Sequence, residues 1–525
     1  MRLARVHVLV EINDESLLAG ARDVLAALHK TVDSQGLSDE VRIVETGDLG
    51  ASGTGVTLAV HPDGITYAGV TVDDVPELVG EHLLKGRFVE RLRASSRPPV
   101  TTGLVRKQTR IVLENCGRID PESLEEAIAG GAYEAVARVV EKKLLPVNII
   151  DEIKASGLRG RGGAGFPTGL KWSFTAPGDE KYVVCNADEG EPGTFKDRLI
   201  LEGDPHRLIE GMILAGYAVG ANRGYIYIRG EYALSIRRVQ IAIEQARKAG
   251  LLGQDILGTG FDFDIDVRKG AGAYVCGEET ALIESMEGKR GNPRLKPPYP
   301  GAVGLWDKPT VVNNVETLAN VPPIIARGAD WFREFGTPGC TGTKVYTILG
   351  HAANCGLIEV EMGTTLRSIV FDYGGGLKDG KSFKAALIGG AAGAFVGVDG
   401  LDVKMDFDNL NEYAAVLGSG AVLVINEDAS IVDLLAGILT FFRHESCGQC
   451  APCRHGTGRL VAIMDRIRSG EGIAEDLGKL IEVARAMAQS SLCPLGQSPI
   501  LPIETALRCF REEFLAQMGA SERTA

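Results

Sequence analysis

The chain has 525 residues and a formal net charge of −13, and 45% of its residues are hydrophobic. This length predicts three or four domains, each able to bury its own core. The negative charge argues against nucleic-acid binding, and no apolar run reaches the ~18 residues that a membrane span needs. Because the amino end also lacks a signal-peptide pattern, we expect a cytoplasmic protein with protein or small-molecule partners and no direct membrane insertion.

The amino-terminal segment alternates strand and helix patterns. VHVLVEI and VRIVETG predict strands, VTLAVHPDGITYAGV predicts a hairpin turned at residues 62–64, and helices are predicted at 15–32 and 75–92. This order predicts a small thioredoxin-like α/β domain over residues 1–95. The first cysteine of the chain is Cys116, so that domain can hold neither a redox dithiol nor a metal cluster. RASSRPPVTTG, residues 93–103, has the composition of a linker.

Two further α/β segments follow. Residues 104–338 contain the predicted strands YVVCN, GYIYIRG and FDIDVRKG with helical patterns between them, which indicates a larger α/β domain. Residues 339–427 contain KVYTILG, GLIEVEMG, FKAALIGG and AVLVINED, with a short helix near residues 365–371. That pattern predicts a small β-grasp-like module.

Residues 428–525 show helical patterns only, and ESCGQCAPCRHG lies between the first two predicted helices. In this motif Cys447, Cys450 and Cys453 form C-x2-C-x2-C, and Cys493 follows further along the chain. A [4Fe–4S] cluster takes four thiolates. A structural zinc site more often uses two C-x2-C pairs, and here the second pair is missing. We therefore predict a [4Fe–4S] cluster on these four cysteines, with zinc or plain structural cysteines as the alternatives.

Some residues around this motif leave alternatives open. Cys509 is a second candidate for the fourth ligand in place of Cys493, although its position inside a predicted helix favours a buried structural thiol. His444, Arg454 and His455 flank the motif and are predicted to be polar surface groups or neighbours of the cluster rather than ligands. Because one cluster moves single electrons, a second redox centre is expected in the chain or in a partner.

The stretch GLRGRGGAGFPTGLKW, residues 157–172, formally matches the dinucleotide fingerprint G-x-G-x-x-G. The match is weak, because the fingerprint follows a strand whereas NIIDEIKASGL predicts a helix, and a Rossmann unit is therefore disfavoured at this point. Its glycines leave backbone N–H groups open to a phosphate or a flat ring, and its bulky residues favour this interpretation over a flexible surface loop. Three cations in the stretch are predicted to balance an anion: Arg159, Arg161 and Lys171.

Clustered acids occur in two further motifs, CNADEGEPGTFKDR and GAGAYVCGEETALIESMEG. Glu278 and Glu279 lie in the first turn of a predicted helix, where acids are also ordinary capping residues. Beside an anion-binding loop, such acids suit hydrogen bonds to ribose hydroxyls and to a carboxamide. NPRLKPPYPG adds a rigid basic and aromatic strip, and VVNNVETLAN adds paired amides.

These motifs, together with ESCGQCAPCRHG, resemble in their order the FMN-binding, NADH-oxidising flavoprotein subunit of respiratory complex I. The same module occurs in NAD-linked hydrogenases and NAD-dependent formate dehydrogenases. The resemblance covers about residues 110–515. It implies FMN, NAD(H) and a [4Fe–4S] cluster as cofactors, and a Rossmann-like FMN domain of unusual topology, a β-grasp module and a four-helix [4Fe–4S] domain as the fold.

The resemblance also implies binding residues, carried over motif by motif. The residues expected to contact FMN are Gly160, Arg161, Gly162, Gly163, Lys171, Asn186, Asp188, Glu189, Tyr274, Gly277, Glu278, Asn313 and Asn314. Those expected to contact NADH are Phe166, Phe174, Glu191, Glu279, Lys296 and Tyr299. Phe is more familiar in the family where Tyr299 stands. No catalytic side chain is implied, because hydride passes directly between nicotinamide and flavin.

The leading domain helps to choose between the complexes. It resembles the thioredoxin-like [2Fe–2S] fold without its cysteines, whereas the complex I subunit lacks such a domain and several hydrogenase relatives keep the cysteines or add a carboxyl-terminal ferredoxin. This chain looks most like the β subunit of a soluble, molybdenum-containing NAD-dependent formate dehydrogenase. The implied partners are a thioredoxin-like [2Fe–2S] subunit and a molybdenum-containing catalytic subunit.

Two alternatives to that assignment are kept. The first is the NADH-oxidising flavoprotein subunit of complex I or of an NAD-linked hydrogenase, which would share the same diaphorase chemistry and differ only in its partner. The second, from another functional class, is a non-catalytic scaffold or sensor in which a single iron–sulfur cluster stiffens the fold. The absence of bound flavin would distinguish this second alternative.

Overall fold

The computed structural model describes residues 4–12, 14–46, 49, 55–94 and 108–518. Within these ranges the strands form three sheets of four or five strands and a two-stranded ladder, and a helical region lies at the carboxyl end. No helix of the described part is both long and apolar enough to cross a membrane. Most of the linker predicted at 93–103 falls outside the described residues.

The first sheet has the strand order β2-β1-β3-β4. Its strands are β1 (Val6–Glu11), β2 (Val41–Thr46), β3 (Leu58–His61) and β4 (Ile65–Tyr67). β1 pairs in parallel with β2 and antiparallel with β3, and β3 and β4 form the predicted hairpin. Two helices, α1 (Asp14–Leu18) and α2 (Ala21–Ser34), follow β1, and the apolar face of α2 fills a core with the strands.

Both helices predicted for this region differ from the structure in length. The pattern at 15–32 is divided between α1 and α2, because Gly20 adopts a φ of 94°, a left-handed conformation that interrupts the helix. The helix predicted over 75–92 is shorter in the structure. It begins as α3 (Val75–Glu77), continues as a wider helical segment, Leu78–Leu84, and ends at residue 84. Gly86, with a φ of 69°, then turns the chain.

The central sheet is parallel throughout and has the order β7-β6-β5-β8. Its strands are β5 (Tyr182–Ala187), β6 (Arg223–Arg229), β7 (Asp264–Gly270) and β8 (Thr310–Asn314). Because the chain returns from β7 to the far side of β5, the strand order reverses between β5 and β8. In open parallel sheets, ligands bind outside the carboxyl ends of the strands at such a switch point.

Helices cover this sheet and connect its strands. They are α4 (Leu124–Ala129), α5 (Glu134–Glu141), α6 (Pro146–Ser156), α7 (Thr168–Ser173), α8 (Lys196–Gly203), α9 (Pro205–Val219), α10 (Ala233–Lys248), α11 (Glu279–Met286), α12 (Val315–Ala319), α13 (Val321–Arg327) and α14 (Ala329–Arg333). α6 confirms the helix predicted ahead of the glycine-rich stretch, and Gly157 in a left-handed conformation ends it. The glycine-rich stretch therefore does not follow a strand.

The third sheet is mixed and has the order β12-β11-β15-β13-β14, preceded by a ladder of β9 (Gly336–Thr337) and β10 (Cys340–Thr341). Its strands are β11 (Thr343–Gly350), β12 (Gly356–Glu361), β13 (Phe383–Ile388), β14 (Ala394–Gly397) and β15 (Ala421–Asn426). All four predicted strands are present, whereas β14 was not predicted. The helix predicted near 365–371 is a wider helical segment at Ser368–Tyr373.

The carboxyl-terminal region contains four long helices, as predicted, and one short helix. They are α15 (Ile431–Glu445), α16 (Ala451–Arg468), α17 (Ala474–Ser490), α18 (Pro494–Gln497) and α19 (Ile500–Gln517). Their apolar faces share a core with strands of the third sheet, including Phe395, whose N–H donates to Thr505 Oγ1 at 3.0 Å. A second apolar cluster joins the helices to the central sheet and contains Cys453 and Cys493.

Candidate functional site

The glycine loop, residues 160–165, lies between α6 and α7 and packs against the end of β8. The N–H of Arg161 donates to Thr317 Oγ1 at 2.8 Å, and a Cβ added at Gly162 would come within 2.8 Å of the Cβ of Asn314. Gly163 has a φ of 146°, and a Cβ there would meet no atom within 4 Å. One face of the loop is therefore held by the switch point, and the backbone at Gly163 is open to a ligand.

Arg161 in this loop and Arg159 just before it have side chains that are engaged by other parts of the chain. Arg161 is completely buried, and its guanidinium donates to the carbonyls of Thr341 and Thr343 at 2.7 and 3.1 Å. The guanidinium of Arg159 pairs with Asp408 at 3.0 Å. Burial against the third segment contradicts the prediction that the Arg161 side chain balances a bound anion, and the same role stays a prediction for Arg159. Arg161 can contribute to the expected FMN site through its backbone.

Asp188 follows β5 and is a carboxylate without hydrogen bonds. Asp188 is 9% exposed, and neither of its carboxylate oxygens has a hydrogen-bond partner among the described residues. Burial raises the pKa of Asp188 to about 7, although Arg229, with Nη1 at 3.7 Å, opposes the shift. A buried polar group without a partner is costly. A ligand that offers hydroxyl donors, as the ribityl chain of FMN does, would satisfy this carboxylate.

Amides at the ends of β5 and β8 are fixed by neighbours. Asn186 Nδ2 donates to the carbonyl of Gly277 at 2.8 Å, and Asn186 Oδ1 accepts the N–H of Asp188 at 3.1 Å. Trp172 Nε1 donates to Asn313 Oδ1 at 2.8 Å. The glycine-rich stretch, both strand ends and the segment containing Gly277 are thus brought together at the switch point.

Three of the predicted FMN residues have side chains that are already engaged. Asn314 caps α12 and donates to Asp197 Oδ2 at 2.7 Å. The carboxylate of Glu189 accepts the N–H groups of Asp197 and Arg198 at the start of α8, at 2.9 and 3.1 Å, and burial raises its pKa to about 7. Glu278 accepts two N–H groups at the start of α11, which confirms the capping alternative for that residue. These side chains fix the backbone around the site.

A buried charged group that sequence reasoning missed lies behind Asn314. Glu316 is fully buried and accepts from Lys344 Nζ at 2.6 Å and Lys196 Nζ at 3.0 Å. Lys196 also contacts Asn314 Oδ1 at 3.3 Å. No local pattern signals this group, because its members come from α8, α12 and β11.

The residues expected to contact NADH divide into an ionic group and exposed rings. Glu279 accepts from Lys171 Nζ at 2.9 Å and from Lys296 Nζ at 3.3 Å. Burial alone would raise the pKa of Glu279, but the two lysines outweigh it and hold the pKa below its usual value. Three aromatic side chains are 47–62% exposed: Phe166, Phe174 and Tyr299.

Glu191 and Tyr274 form a link between segments. Tyr274 Oη donates to Glu191 Oε2 at 2.8 Å, and the N–H of Ala391 donates to Glu191 Oε1 at 2.6 Å. Burial raises the pKa of Glu191, against these hydrogen bonds. The N–H of Tyr274 donates to Glu445 Oε2 at 2.9 Å, a contact that sequence reasoning missed.

The four predicted cysteine ligands line one pocket. Cys453 and Cys493 are buried there, whereas Cys447 and Cys450 are partly exposed. Burial raises the pKa of Cys493 to about 11 and also raises the pKa of Cys453. Thiols with such pKa values stay protonated at neutral pH unless a bound metal supplies positive charge. The donor set fits an iron–sulfur cluster.

Cys509 is not part of this pocket. It is exposed on α19, so the predictions of a fourth ligand and of a buried thiol are both wrong for it. His444, Arg454 and His455 are exposed, as predicted. Within the described ranges, no three His, Cys, Asp or Glu side chains converge on one point as around a single metal ion. In a [4Fe–4S] cluster each cysteine binds a different iron, and the four thiols line a cavity instead.

A short loop that forms one turn of 3-10 helix, Tyr274–Gly277, connects the two candidate sites. Val275 lines the cysteine pocket, together with Pro293. At the other end of the loop, a Cβ added at Gly277 would lie 3.3 Å from the carbonyl oxygen of Asp188. The switch point and the cysteine pocket are therefore neighbours.

Comparison with known proteins bears on both sites. The Nuo51 FMN-binding domain family matches residues 153–323, and the NADH-ubiquinone oxidoreductase-F iron-sulfur binding region matches residues 433–517. The first match contains the glycine loop, the ends of β5 and β8, and the loop Tyr274–Gly277. The second contains all four pocket cysteines.

Individual relatives agree with these matches. The chain is 51% identical over 415 residues to the NADP-reducing hydrogenase subunit HndC of Solidesulfovibrio fructosivorans, a match that covers 79% of this chain and 84% of that subunit. It is 47% identical over 410 residues to the F 2 subunit of NADH-quinone oxidoreductase from Rhizobium meliloti, covering 78% of this chain and 97% of the relative. A crystal structure of an NAD+-reducing [NiFe]-hydrogenase superposes with a TM-score of 0.68 at 30% identity, over 99% of this chain and 86% of that one.

These matches confirm the resemblance predicted from the motifs, and with it FMN, NADH and a [4Fe–4S] cluster as the cofactors. The mixed α/β fold with a carboxyl-terminal helical region is that of the NADH flavoproteins. The chain belongs to the family of diaphorase-type oxidoreductase subunits that bind FMN, NADH and a [4Fe–4S] cluster, the family that includes the F subunits of NADH-quinone oxidoreductases.

Proposed function

We propose that this chain exchanges hydride between NAD(H) and FMN, and single electrons between FMN and the [4Fe–4S] cluster. The observation that supports this most directly is the loop Tyr274–Gly277, which meets Asp188 at one end and places Val275 in the cysteine pocket. Bound FMN would supply the chemistry, because a flavin takes up two electrons with a hydride and releases electrons singly. The side chains bind, orient and separate the groups, and none acts as an acid or base.

In this proposal the FMN site is the switch point. Asp188 accepts hydrogen bonds from flavin hydroxyls, and the backbone at Gly160, Gly162 and Gly163 approaches the flavin. Asn186 and Asn313 are held in place for the flavin by their own hydrogen bonds. The other residues expected to contact FMN contribute through their backbone or by shaping the site: Arg161, Lys171, Glu189, Tyr274, Gly277, Glu278 and Asn314.

The NAD(H) site lies beside the exposed rings. Phe166, Phe174 and Tyr299 offer flat surfaces on which an adenine can stack. Glu279, held between two lysines, and Glu191, held by Tyr274, provide carboxylates for ribose hydroxyls or the carboxamide. Lys296 adds a positive charge near the expected position of the nucleotide.

We further propose four domains: residues 1–95 as a thioredoxin-like domain, 104–338 as the FMN domain, 339–427 as a β-grasp domain and 428–525 as the [4Fe–4S] domain. Separate apolar cores support this division. One core contains only residues from 6–92, and another contains only residues from 340–424. The helical core also includes side chains of the third sheet, and this shared core predicts that the last two domains unfold as one unit.

For the parent complex, we propose a soluble, molybdenum-containing NAD-dependent formate dehydrogenase in which this chain is the β subunit. A leading α/β segment without cysteines supports this choice. A thioredoxin-like [2Fe–2S] subunit and a molybdenum-containing catalytic subunit would be its partners. All cysteines of the described part are free thiols, which suits a reducing cytoplasm.

An NAD-linked hydrogenase is the second candidate. Two observations favour it: the solved hydrogenase chain covers 99% of this chain, and a hydrogenase subunit is 51% identical. A complex I subunit is the third candidate, supported by the 97% coverage of the Rhizobium meliloti relative.

Two measurements test the proposal. Anaerobically purified protein should show a flavin absorption band over broad iron–sulfur absorbance, and NADH should bleach the flavin band. Protein without flavin that does not respond to NADH after FMN is added would leave only an iron–sulfur scaffold. The parent complex is tested separately. The complex that co-purifies with this chain should contain molybdenum and reduce NAD+ with formate. Nickel in that complex, together with NAD+ reduction by hydrogen, would instead assign the chain to a hydrogenase.

A further inference from the structure

We propose that Glu445 is a positioning residue that holds the loop Tyr274–Gly277 between the flavin site and the cysteine pocket. By fixing this loop, it would control how fast single electrons pass between the two redox groups. The inference rests on the proposed function, in which hydride exchange and cluster reduction follow each other. Glu445 is the last residue of α15, two positions before Cys447.

One end of the loop is attached to α15 by two contacts. Glu445 Oε2 accepts the N–H of Tyr274 at 2.9 Å. The ring of Phe441 meets the ring of Tyr274 edge to face, with centroids 5.1 Å apart. Residues 441 and 445 are one helical turn apart and share a face of the helix. The last turn of α15, directly before the cysteine motif, therefore contacts the first residue of the loop through both its side chain and its backbone.

The other end of the loop is attached to the flavin site. The carbonyl of Gly277 accepts from Asn186 Nδ2 at 2.8 Å, and Asn186 ends β5. Val275, between the two attachments, lines the cysteine pocket. A shift of the loop would change the path between the two groups.

The carboxylate makes this attachment strong. A hydrogen bond to an ionised acceptor is roughly twice as strong as a neutral one. The step under control moves one electron from the reduced flavin to the oxidised cluster, with NADH as the electron source and the accompanying proton released to water. Hydride transfer from NADH precedes this step. Glu445 reaches the expected nucleotide site only through Tyr274, which holds Glu191, so its effect on hydride transfer should be the smaller one.

The test compares holoprotein carrying Glu445→Ala, Glu445→Gln or, as a control, Glu512→Ala, which changes an exposed glutamate of α19. Hydrogen exchange, measured with and without bound cofactors, should become about tenfold faster at residues 272–278 in Glu445→Ala. After rapid mixing with NADH, flavin bleaching should stay within about twofold of wild type, while the electron paramagnetic resonance signal of the reduced cluster should appear about tenfold more slowly. Glu445→Gln keeps an acceptor oxygen and should lie between wild type and Glu445→Ala on both measures.

Several results would overturn the inference. Equal slowing of flavin bleaching and cluster reduction would show a general defect, and an unchanged rate of cluster reduction despite faster exchange would show that the loop does not control that step. If Glu445→Ala assembles no cluster, the exchange measured without cofactors decides, because wild-type exchange at residues 272–278 in that variant contradicts the proposed attachment. Wild-type protein whose flavin is not bleached by NADH would overturn the proposed function itself, and the exchange data would still show whether Glu445 holds the loop.

Discussion

At the scale of single residues, Asp188 has the most unusual surroundings among the residues that we propose to bind FMN. The structure buries this carboxylate and leaves its oxygens without hydrogen bonds among the described residues. Burial raises its pKa from 3.8 to about 7. Since the folded state then binds a proton more tightly than the unfolded chain does, stability is lost as the pH rises from the unfolded pKa through the folded one.

Asp188→Asn should therefore stabilise the protein without cofactors, increasingly so at higher pH. The stabilisation should grow by about 2 kcal/mol between about pH 5 and about pH 8, because the neutral amide avoids the cost of a buried charge. Urea unfolding of both proteins at several pH values measures it. Asp179→Asn, at an exposed aspartate, is the control and should show no such trend. In Asp188→Asn, FMN should also bind about tenfold more weakly than in wild type, because the flavin loses its hydrogen bonds to a charged acceptor.

Cys447 gives a second prediction at this scale. Cys447→Ser should abolish the iron–sulfur absorbance, because one of the four thiols of the pocket is missing. Bleaching of FMN by NADH should persist, because the flavin site is built from the central sheet. Iron content and visible spectra measure both effects, and Cys509→Ser, at an exposed thiol outside the pocket, is the matched control. Loss of FMN together with the cluster would argue against two separable sites.

At the scale of elements, the buried group around Glu316 connects α8, α12 and β11. Its carboxylate accepts from Lys196 and Lys344 and also from the N–H of Val345 at 2.9 Å. These contacts join the start of α12, directly after Asn314, to the first strand of the third sheet. The group therefore holds the end of β8 against a different sheet.

Glu316→Gln should destabilise the protein by about 3 kcal/mol, because removing one partner of a buried ion pair leaves uncompensated charge. Chemical unfolding measures the loss, and Glu334→Gln, at an exposed glutamate, should have little effect. FMN affinity should fall as well, since the position of Asn314 depends on the group. A variant as stable as wild type would show that other groups balance the positive charges of Lys196 and Lys344.

At the scale of the whole molecule, an ion pair and a hydrogen bond attach the first sheet to residues 120–126, at the start of the proposed FMN domain. Arg42 pairs with Asp120 at 2.7 Å, and His7 contacts Glu126 at 3.2 Å. The hydrogen bond from His7 is the largest cause of the lowered pKa of Glu126. The residues proposed to bind FMN and NADH take no part in these contacts.

Arg42→Glu should loosen this attachment by placing like charges together. Hydrogen exchange should rise at residues 41–46 and 118–126, while bleaching of FMN by NADH stays within about twofold of wild type, because surface pairs contribute about 1 kcal/mol or less. Arg87→Glu makes the same charge change at a pair with Glu81 inside the first domain and serves as the control. A large loss of flavin bleaching in Arg42→Glu alone would show that the leading domain acts on the flavin site.

Much of the fold was predictable because it follows from local patterns. Alternating and helical periodicities indicated the type of nearly every long element, and the spacing of Cys447, Cys450 and Cys453 indicated the cluster motif. Helix ends were less predictable, since conformations such as that of Gly20 interrupt a continuous pattern. β8 was not predicted as a strand, although its TVV run is typical of one.

The sequence by itself determined the family motifs, the spacing of Cys447, Cys450 and Cys453, and the order of most strands and helices along the chain, because these depend on residue type and spacing alone. Only the tertiary structure decided that Arg161 faces carbonyls of the third segment, that the strand order reverses between β5 and β8, and that Glu445 reaches Tyr274. These contacts join residues more than 100 positions apart. They depend on how sheets and helices pack, and no periodicity along the chain records that packing.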